Sequence, residues 1–282
     1  PGPVVVDLPV DVIKEMGEDK YPDEITVEGY QVIEKADFNL INKAATRINE
    51  AKRPLVLVGG GLQKGADVLR KWIEKTNIPV VSTLMGLGVM PDSHKFFVGM
   101  VGMHGVVAAN KAISECDLIV AIGTRFSDRV TGKIDHFAKN ADIIHIDIDP
   151  AVMSVNVSVD IPITGDAKDI ISDLIPQTEK KDFSEWWDRI NKWKSQYELK
   201  TVPGKFRLSP MQILQTINDY FNDAIIVTDV GQHQMWTAQF YNFTKPNTLI
   251  TSGGLGTMGY GFPAALGAQI GNRDKKVICI SG

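Results

Sequence analysis

Residues 38–60 read FNLINKAATRINEAKRPLVLVGG, and the period of their apolar pattern changes half-way. Leu40, Ile41, Ala44, Ala45 and Ile48 recur at helical spacing, and Pro54 stands just beyond the end of that helix. From Pro54 to Val58 every residue is apolar, as in a short strand buried on both faces, and two glycines follow. A helix feeding a doubly buried strand is part of a βαβ unit, so the stretch predicts a parallel sheet covered by helices.

Working outward, the same texture recurs in VVVDL (4–8), PVVST (79–83), DLIVAIG (117–123), DIIHIDI (142–148) and IPIT (161–164), each read as a buried strand. After about residue 166 the chain turns charged and aromatic. Trp186, Ile190 and Trp193 share one helical face there, which predicts a connector helix docked onto a domain rather than a stacking platform for bases. A second α/β unit opens with SPMQ, in which Ser209 suits an N-cap, Pro210 the first helical position and Gln212 the reciprocal partner of a capping box. Strands are expected at 224–229, 248–252 and 277–281, with helices starting at Gln232 and near Tyr260. The predicted fold class is α/β: a Rossmann-like parallel-sheet domain over residues 1–175, a helical connector over 176–205, and the beginning of a second α/β domain over 206–282.

The 282 residues are 44% apolar and 23% charged, and the net charge of −4 comes with interspersed signs. That composition argues against nucleic acid or an anionic membrane as partner and towards a small ligand. The apolar runs fall short of the roughly 18 residues a membrane helix needs, and the first residues have no signal-peptide pattern. PGPVVVDLPVDV opens directly on a strand pattern, so a preceding targeting segment or domain is expected to be missing. Cys116 and Cys279 each sit in an apolar run and are expected to be buried free thiols, in keeping with a reducing compartment.

Several loops carry candidate chemistry. Gly59 and Gly61 follow a strand, but the third position of the dinucleotide fingerprint is Lys64 and the next strand ends without an acidic residue, so a plain tight turn is favoured slightly over an NAD site. His104 stands between glycines in VGMHGVVAAN, before a predicted helix whose amides suit an anion. IGTRFSDRVTG holds Arg125, Asp128 and Arg129 beyond a strand, suited either to a surface ion-pair loop or to a bidentate clamp on phosphate or carboxylate. Asp147 and Asp149 alternate at the end of HIDIDP. TDVGQHQMW runs through Gly231 into a helix whose first turn offers donors from Gln232 and His233. In TSGGLGTMGYGFPAALGA, glycines at 253, 254, 256, 259 and 261 exceed what one turn needs and suggest close backbone approach to a ligand.

Together GMHG, GTRFSDRVTGK, HIDIDP, TDVGQHQMW and SGGLGTMGYGFPAALGA, in this order and spacing, resemble the catalytic subunit of the acetolactate synthase family, also called acetohydroxyacid synthases. The likeness covers nearly the whole chain. It implies a central FAD-binding domain and the start of a domain binding thiamine diphosphate and magnesium. The strand VICISG would run into an acidic turn that ligates the metal, so the chain resembles a fragment whose metal ligands and activating glutamate lie outside it, inactive by itself. Gly60, Thr83, Leu84, Gly102, Met103, His104, Gly123, Arg125, Asp147, Ile148 and Asp166 match the family's FAD contacts, and Asp128 is counted with the cofactor side. Val230, Gly231, Gln232 and His233 match the diphosphate-side loop. Gly256 matches the residue whose carbonyl meets the aminopyrimidine, and Met258 the apolar prop that bends the cofactor. Arg129 matches the arginine receiving the acceptor keto acid's carboxylate, with Asp128 as its ion-pair partner. Ser127 departs from the family's usual aspartate, which removes a charge near the flavin.

The reaction so implied decarboxylates pyruvate and joins the hydroxyethyl unit to a second 2-keto acid, giving acetolactate or acetohydroxybutyrate for branched-chain amino-acid synthesis. The alternatives are another thiamine-diphosphate carboligase or decarboxylase such as glyoxylate carboligase, or a non-catalytic FAD-binding module. The resemblance also implies a homodimer or tetramer and a regulatory small subunit. The compartment would be the cytoplasm in a bacterium, or the plastid or mitochondrial matrix in a eukaryote.

Overall fold

A computed structural model describes residues 6–18, 20, 21, 23, 35–199 and 208–282. The chain divides into two compact units, residues 1–32 and 33–282. In the first, the short helix α1 (Val10–Lys14) follows Pro9 and buries none of its residues. The strand expected at 4–8 lies partly outside the described residues. Its described part, Val6 to Leu8, is not a strand, and Val6 and Leu8 are exposed. An apolar run becomes a strand only where a sheet accepts it.

The second unit holds two parallel sheets. Its first helix, α2 (Phe38–Glu50), is capped by Asp37, whose carboxylate accepts from the Asn39 N–H at 2.8 Å, and it buries Ile41, Ala44, Ala45 and Ile48. Six strands follow: β1 (Pro54–Val58), β2 (Val80–Ser82), β3 (Phe97–Met100), β4 (Leu118–Ile122), β5 (Asp142–Asp147) and β6 (Ile161–Thr164). They pair in the order β3-β2-β1-β4-β5-β6, all parallel, the doubly wound arrangement in which the order of the strands reverses between β1 and β4. Every residue of β1 and β4 is buried, which explains their unbroken apolar sequences. Helices α3 (Ala66–Thr76), α4 (Val107–Glu115), α5 (Asp128–Thr131) and α6 (Ala167–Gln177) fill the connections. β3 escaped the sequence reading because it is short, contains Gly99 at φ 142° and shifts register against β2.

Helix α7 (Ser184–Gln196) is the expected docked connector. Trp186, Ile190 and Trp193 are buried, the two tryptophans meet edge to face at 5.8 Å, and the Trp186 indole donates to the Pro54 carbonyl at 3.1 Å. Helix α8 (Pro210–Tyr220) opens on the capping box of Ser209 and Gln212. The second sheet, in the order β8-β7-β9, is built of β7 (Ile225–Thr228), β8 (Leu249–Thr251) and β9 (Val277–Ile280), with α9 (Gln232–Phe240) and α10 (Gly261–Gly271) between them. Cys116 is buried as expected, but Cys279 is exposed, because β9 is an edge strand. Both thiols are free. Among the described residues no helix is long and apolar enough to cross a membrane.

The two sheets share a small core in which Leu87 and Met100, from the first, pack with Ile226, Ala238, Tyr241 and Phe243 from the second. Polar contacts support it. Asn247 N–H donates to the Gln63 side chain at 2.8 Å, and Gln239 of α9 donates to the His104 carbonyl at 2.8 Å.

Candidate active site

In open parallel sheets ligands bind beyond the carboxyl ends of the strands, and the candidate residues of the first sheet collect there. Gly60 follows β1, Thr83 and Leu84 follow β2, Gly102 to His104 follow β3, Gly123 and Arg125 follow β4, Asp147 and Ile148 close β5, and Asp166 follows β6. The crevice between β1 and β4 is closed by backbone. Gly61 N–H donates to the Gly123 carbonyl at 3.0 Å, and a Cβ on Gly59 would lie 2.1 Å from that same oxygen. These glycines therefore serve loop-to-loop packing, in agreement with the failed dinucleotide fingerprint. Beside it, the loops that follow β2 to β5 form a rim.

That rim is stitched from one loop to the next. Met103 N–H donates to the Arg129 carbonyl at 2.8 Å, and Gly102, at φ 98°, has no room for a Cβ, which would fall 2.3 Å from the same oxygen. Arg129 itself is exposed, 3.8 Å from the Asp128 carboxylate, so the expected pair is present. An ion pair so open to water contributes little stability. Arg125 is also exposed; its carbonyl is held by Asn156 at 3.1 Å, and its guanidinium has no ion-pair partner among the described residues. Met103 and Ile148 present apolar surface. Asp166 is committed elsewhere, capping α6 through the Lys168 N–H at 2.8 Å, and Asp147 accepts from the Asp149 N–H at 3.1 Å. Ser82, the last residue of β2, has a buried hydroxyl without a protein partner at this edge.

In the second sheet, Asp229 follows β7, and Val230 and Gly231 lead into α9. The first-turn amides of Gln232 and His233 have no carbonyl to bond within the helix and suit an anion. His233 Nε2 is buried without a partner among the described residues, an orphaned polar atom beside the same turn. The glycine-rich loop after β8 lies alongside. Gly256 and Gly259 take φ of 71° and 86°, and a Cβ on Gly256 would meet only Val230 at 3.9 Å, while one on Gly259 would meet nothing. Their conformation requires glycine and the adjoining space is open. Leu255 and Met258 project from this loop almost fully exposed.

Two residues that organise these loops were not singled out by the sequence reading. Asp229 accepts from Val230 N–H at 2.7 Å and Gly259 N–H at 3.0 Å, and these amides help to hold its carboxyl below the ordinary range; the Val230 bond is the largest influence. It ties the turn into α9 to the glycine loop. Asn110, on α4, clasps Gly102 from both sides, accepting from its N–H at 2.8 Å and donating to its carbonyl at 2.9 Å. An aspartate two residues before a turn glycine, and a lone asparagine in an alanine-rich helix start, were the available signals.

Residues 41–174 match the family model described as thiamine pyrophosphate enzyme, central domain, and residues 229–282 match the C-terminal TPP binding domain of the same family. The chain belongs to the thiamine pyrophosphate enzymes. Among curated relatives it is 45% identical over 292 aligned residues to the acetolactate synthase large subunit of Corynebacterium glutamicum, covering 100% of this chain and 46% of that protein. It is 45% identical to the probable acetolactate synthase large subunit of Methanocaldococcus jannaschii and 42% identical to the acetolactate synthase of Mycobacterium leprae, covering 50% and 47% of them. The chain spans about half the length of these relatives. For a thiamine pyrophosphate enzyme, the open first turn of α9, the orphaned His233 nitrogen and the open cradle at Gly256 and Gly259 fit the cofactor of the family.

Proposed function

We propose that this chain is part of an acetolactate synthase catalytic subunit, which decarboxylates pyruvate and joins the resulting two-carbon unit to a second 2-keto acid. The observation that carries the reading is the stitched path from α9 through His104 and Met103 to Arg129. It ties the loop bearing an exposed carboxylate-binding arginine to the helix that opens the diphosphate-side turn. When bound, thiamine diphosphate supplies the electron sink for decarboxylation. The chain's own part is to hold that group and present the acceptor. Gln232 and His233 would hold the diphosphate, Gly256 and Met258 would hold the rings, and Arg129 would grip the acceptor carboxylate with its planar fork.

FAD fits the rim of the first sheet, where the unpaired Arg125, the Ser82 hydroxyl and the exposed Met103 and His104 are available, together with Gly60, Thr83, Leu84 and Ile148. Within this reading residues 1–175 are the FAD-binding domain, 176–205 the connector and 206–282 the thiamine-side domain. Magnesium would offset the diphosphate charge. The described residues do not fit it, since none form a group of three or more His, Cys, Asp or Glu able to hold a metal and Asp229 spends its carboxylate on amides; no step is assigned to the ion. The name "large subunit" borne by the relatives supports a small regulatory partner. Exposed Leu255, Met258, Phe262, Leu266 and Ile270 support burial against further protein in a homodimer or tetramer.

The test is an assay of pyruvate consumption and acetolactate formation by the full gene product with thiamine diphosphate, magnesium and FAD. Stoichiometric acetolactate is expected. Decarboxylation to acetaldehyde alone, or turnover of glyoxylate in preference to pyruvate, overturns the reading.

A further inference from the structure

The middle of β5 carries an unusual core residue. His145 is fully buried between Ala121 of β4 and Pro162 of β6, with its Nε2 2.8 Å from the Thr124 carbonyl and its Nδ1 buried without a partner among the described residues. A carbonyl can only accept, so Nε2 carries the proton. A second proton on Nδ1 would be a buried donor with nothing to receive it, costing about 1–3 kcal/mol. The ring is therefore neutral, and burial, the main influence, holds its pKa below the ordinary value. The Asp147 carboxylate, at 4.0 Å from Nε2, is too distant to replace the Thr124 bond.

The same ring touches the next turn of the loop. Phe126, buried and at φ 49°, sets its edge against His145 at a centroid distance of 5.0 Å and packs against Phe137 at 5.9 Å. Positive φ is costly for an aromatic residue and persists only where the surroundings enforce it. His145 thus holds the two residues on either side of Arg125, by a hydrogen bond to the first and a ring contact to the second. From Phe126 the chain passes through Ser127 into α5, which carries Asp128 and Arg129.

We propose that His145 is a positioning residue for the proposed reaction: as a neutral imidazole donating from Nε2, it fixes the Thr124–Phe126 turn and so sets where Arg125 and Arg129 meet the flavin's phosphates and the acceptor carboxylate. This rests on the function proposed above for those arginines. A hydrophobic residue of similar size would fill the space but leave the Thr124 carbonyl buried and unpaired.

The experiment compares His145→Leu, which removes the donor, with His145→Gln, whose amide nitrogen stands in for Nε2, both in the full gene product. Circular dichroism first confirms that each variant folds. Amide hydrogen exchange is then followed over residues 123–131 against the rest of the first sheet. The Leu variant is expected to exchange at least tenfold faster in that segment alone, with FAD bound at least fivefold more weakly and the acceptor KM raised about tenfold. The Gln variant is expected to recover most of each change. In the unaltered protein, nitrogen NMR should show His145 protonated at Nε2 only across pH 5.5–8.

Unchanged exchange at 123–131 in the Leu variant, no recovery by Gln, or a proton on Nδ1 would overturn the proposal. If the exchange and NMR results hold while the unaltered protein neither binds FAD nor uses a 2-keto acid acceptor, it is the assigned function that fails, and with it the ligands named for the two arginines. If Leu does not fold, the Gln variant and the tautomer decide.

Discussion

Asp92 and Phe243 bond each other twice. The Phe243 N–H donates to the Asp92 carboxylate at 2.8 Å, and the Asp92 N–H donates to the Phe243 carbonyl at 3.2 Å. This clasp closes the junction between the two sheets beside their shared core. Burial dominates the carboxyl's environment and pushes its pKa from 3.8 to about 7, against the lowering effect of the Phe243 bond. The folded protein therefore keeps a proton that the unfolded chain releases between about pH 4 and pH 7. Stability contributed by Asp92 is fully present below pH 4, declines as pH rises to about 7, and is flat above. Asp92→Asn keeps an acceptor for Phe243 without a charge to desolvate. Its Tm is expected to gain on the unaltered protein across that window, reaching on the order of 5 °C at pH 7.5. A difference independent of pH would refute this titration.

Three glycine-to-alanine changes should separate space from strain. Gly123→Ala meets both, at φ 60° with its Cβ 2.6 Å from the Gly61 Cα, and is expected to cost more than about 3 kcal/mol in urea titration. Gly259→Ala meets only the strain of φ 86° and should cost about 1–2 kcal/mol. Gly254→Ala has open space and no unfavourable φ, so its effect should stay within about 0.5 kcal/mol. Any other ranking contradicts the described loops.

Trp186 is 2% exposed and joins α7 to the start of β1 through the Pro54 carbonyl. Trp186→Phe retains an aromatic ring but orphans that carbonyl, with an expected loss of about 1–3 kcal/mol. Trp186→Ala adds a cavity and should lose about 3–5 kcal/mol. Denaturant midpoints test both. Equal losses would mean that the indole donor contributes nothing.

Arg129→Lys keeps the charge while losing the two-pronged geometry. In the full gene product the acceptor KM is expected to rise about tenfold, with decarboxylation of the first pyruvate changed by less than about twofold. Equal loss of both half-reactions would remove the role assigned to this arginine. Stability should be unaffected, since the Asp128 pair is exposed to water.

The elements legible in the sequence were those with a local cause. β1, β4 and β5 announce themselves because each is largely buried, and α8 because its cap lies within Ser209 to Gln212. β3 was hidden by a glycine and a register shift, and residues 6–8 were misread because apolar character does not reveal whether a sheet edge is there to receive it. The site followed the same rule. The glycine loops and arginines stand out as motifs, whereas Asp229 acts on Gly259, thirty positions away, and leaves no spacing to recognise. His145 opens HIDIDP, but its bond to Thr124 depends on which strand lies beside β5.

The position of β1 in the interior of the sheet has a consequence for synthesis. The first sheet is two three-stranded halves, 54–100 and 118–164, each contiguous in sequence and joined only where Pro54–Val58 lies along Leu118–Ile122. On the ribosome the first half is complete while its inner margin, the wholly apolar PLVLV, still lacks a neighbour. That ladder stays bare until Ile122 has emerged, roughly 1–4 s after Met100 at about 5–20 residues per second. The hazard of misassociation in this chain is concentrated in that interval, and a pause in translation between Met100 and Ile122 would lengthen it.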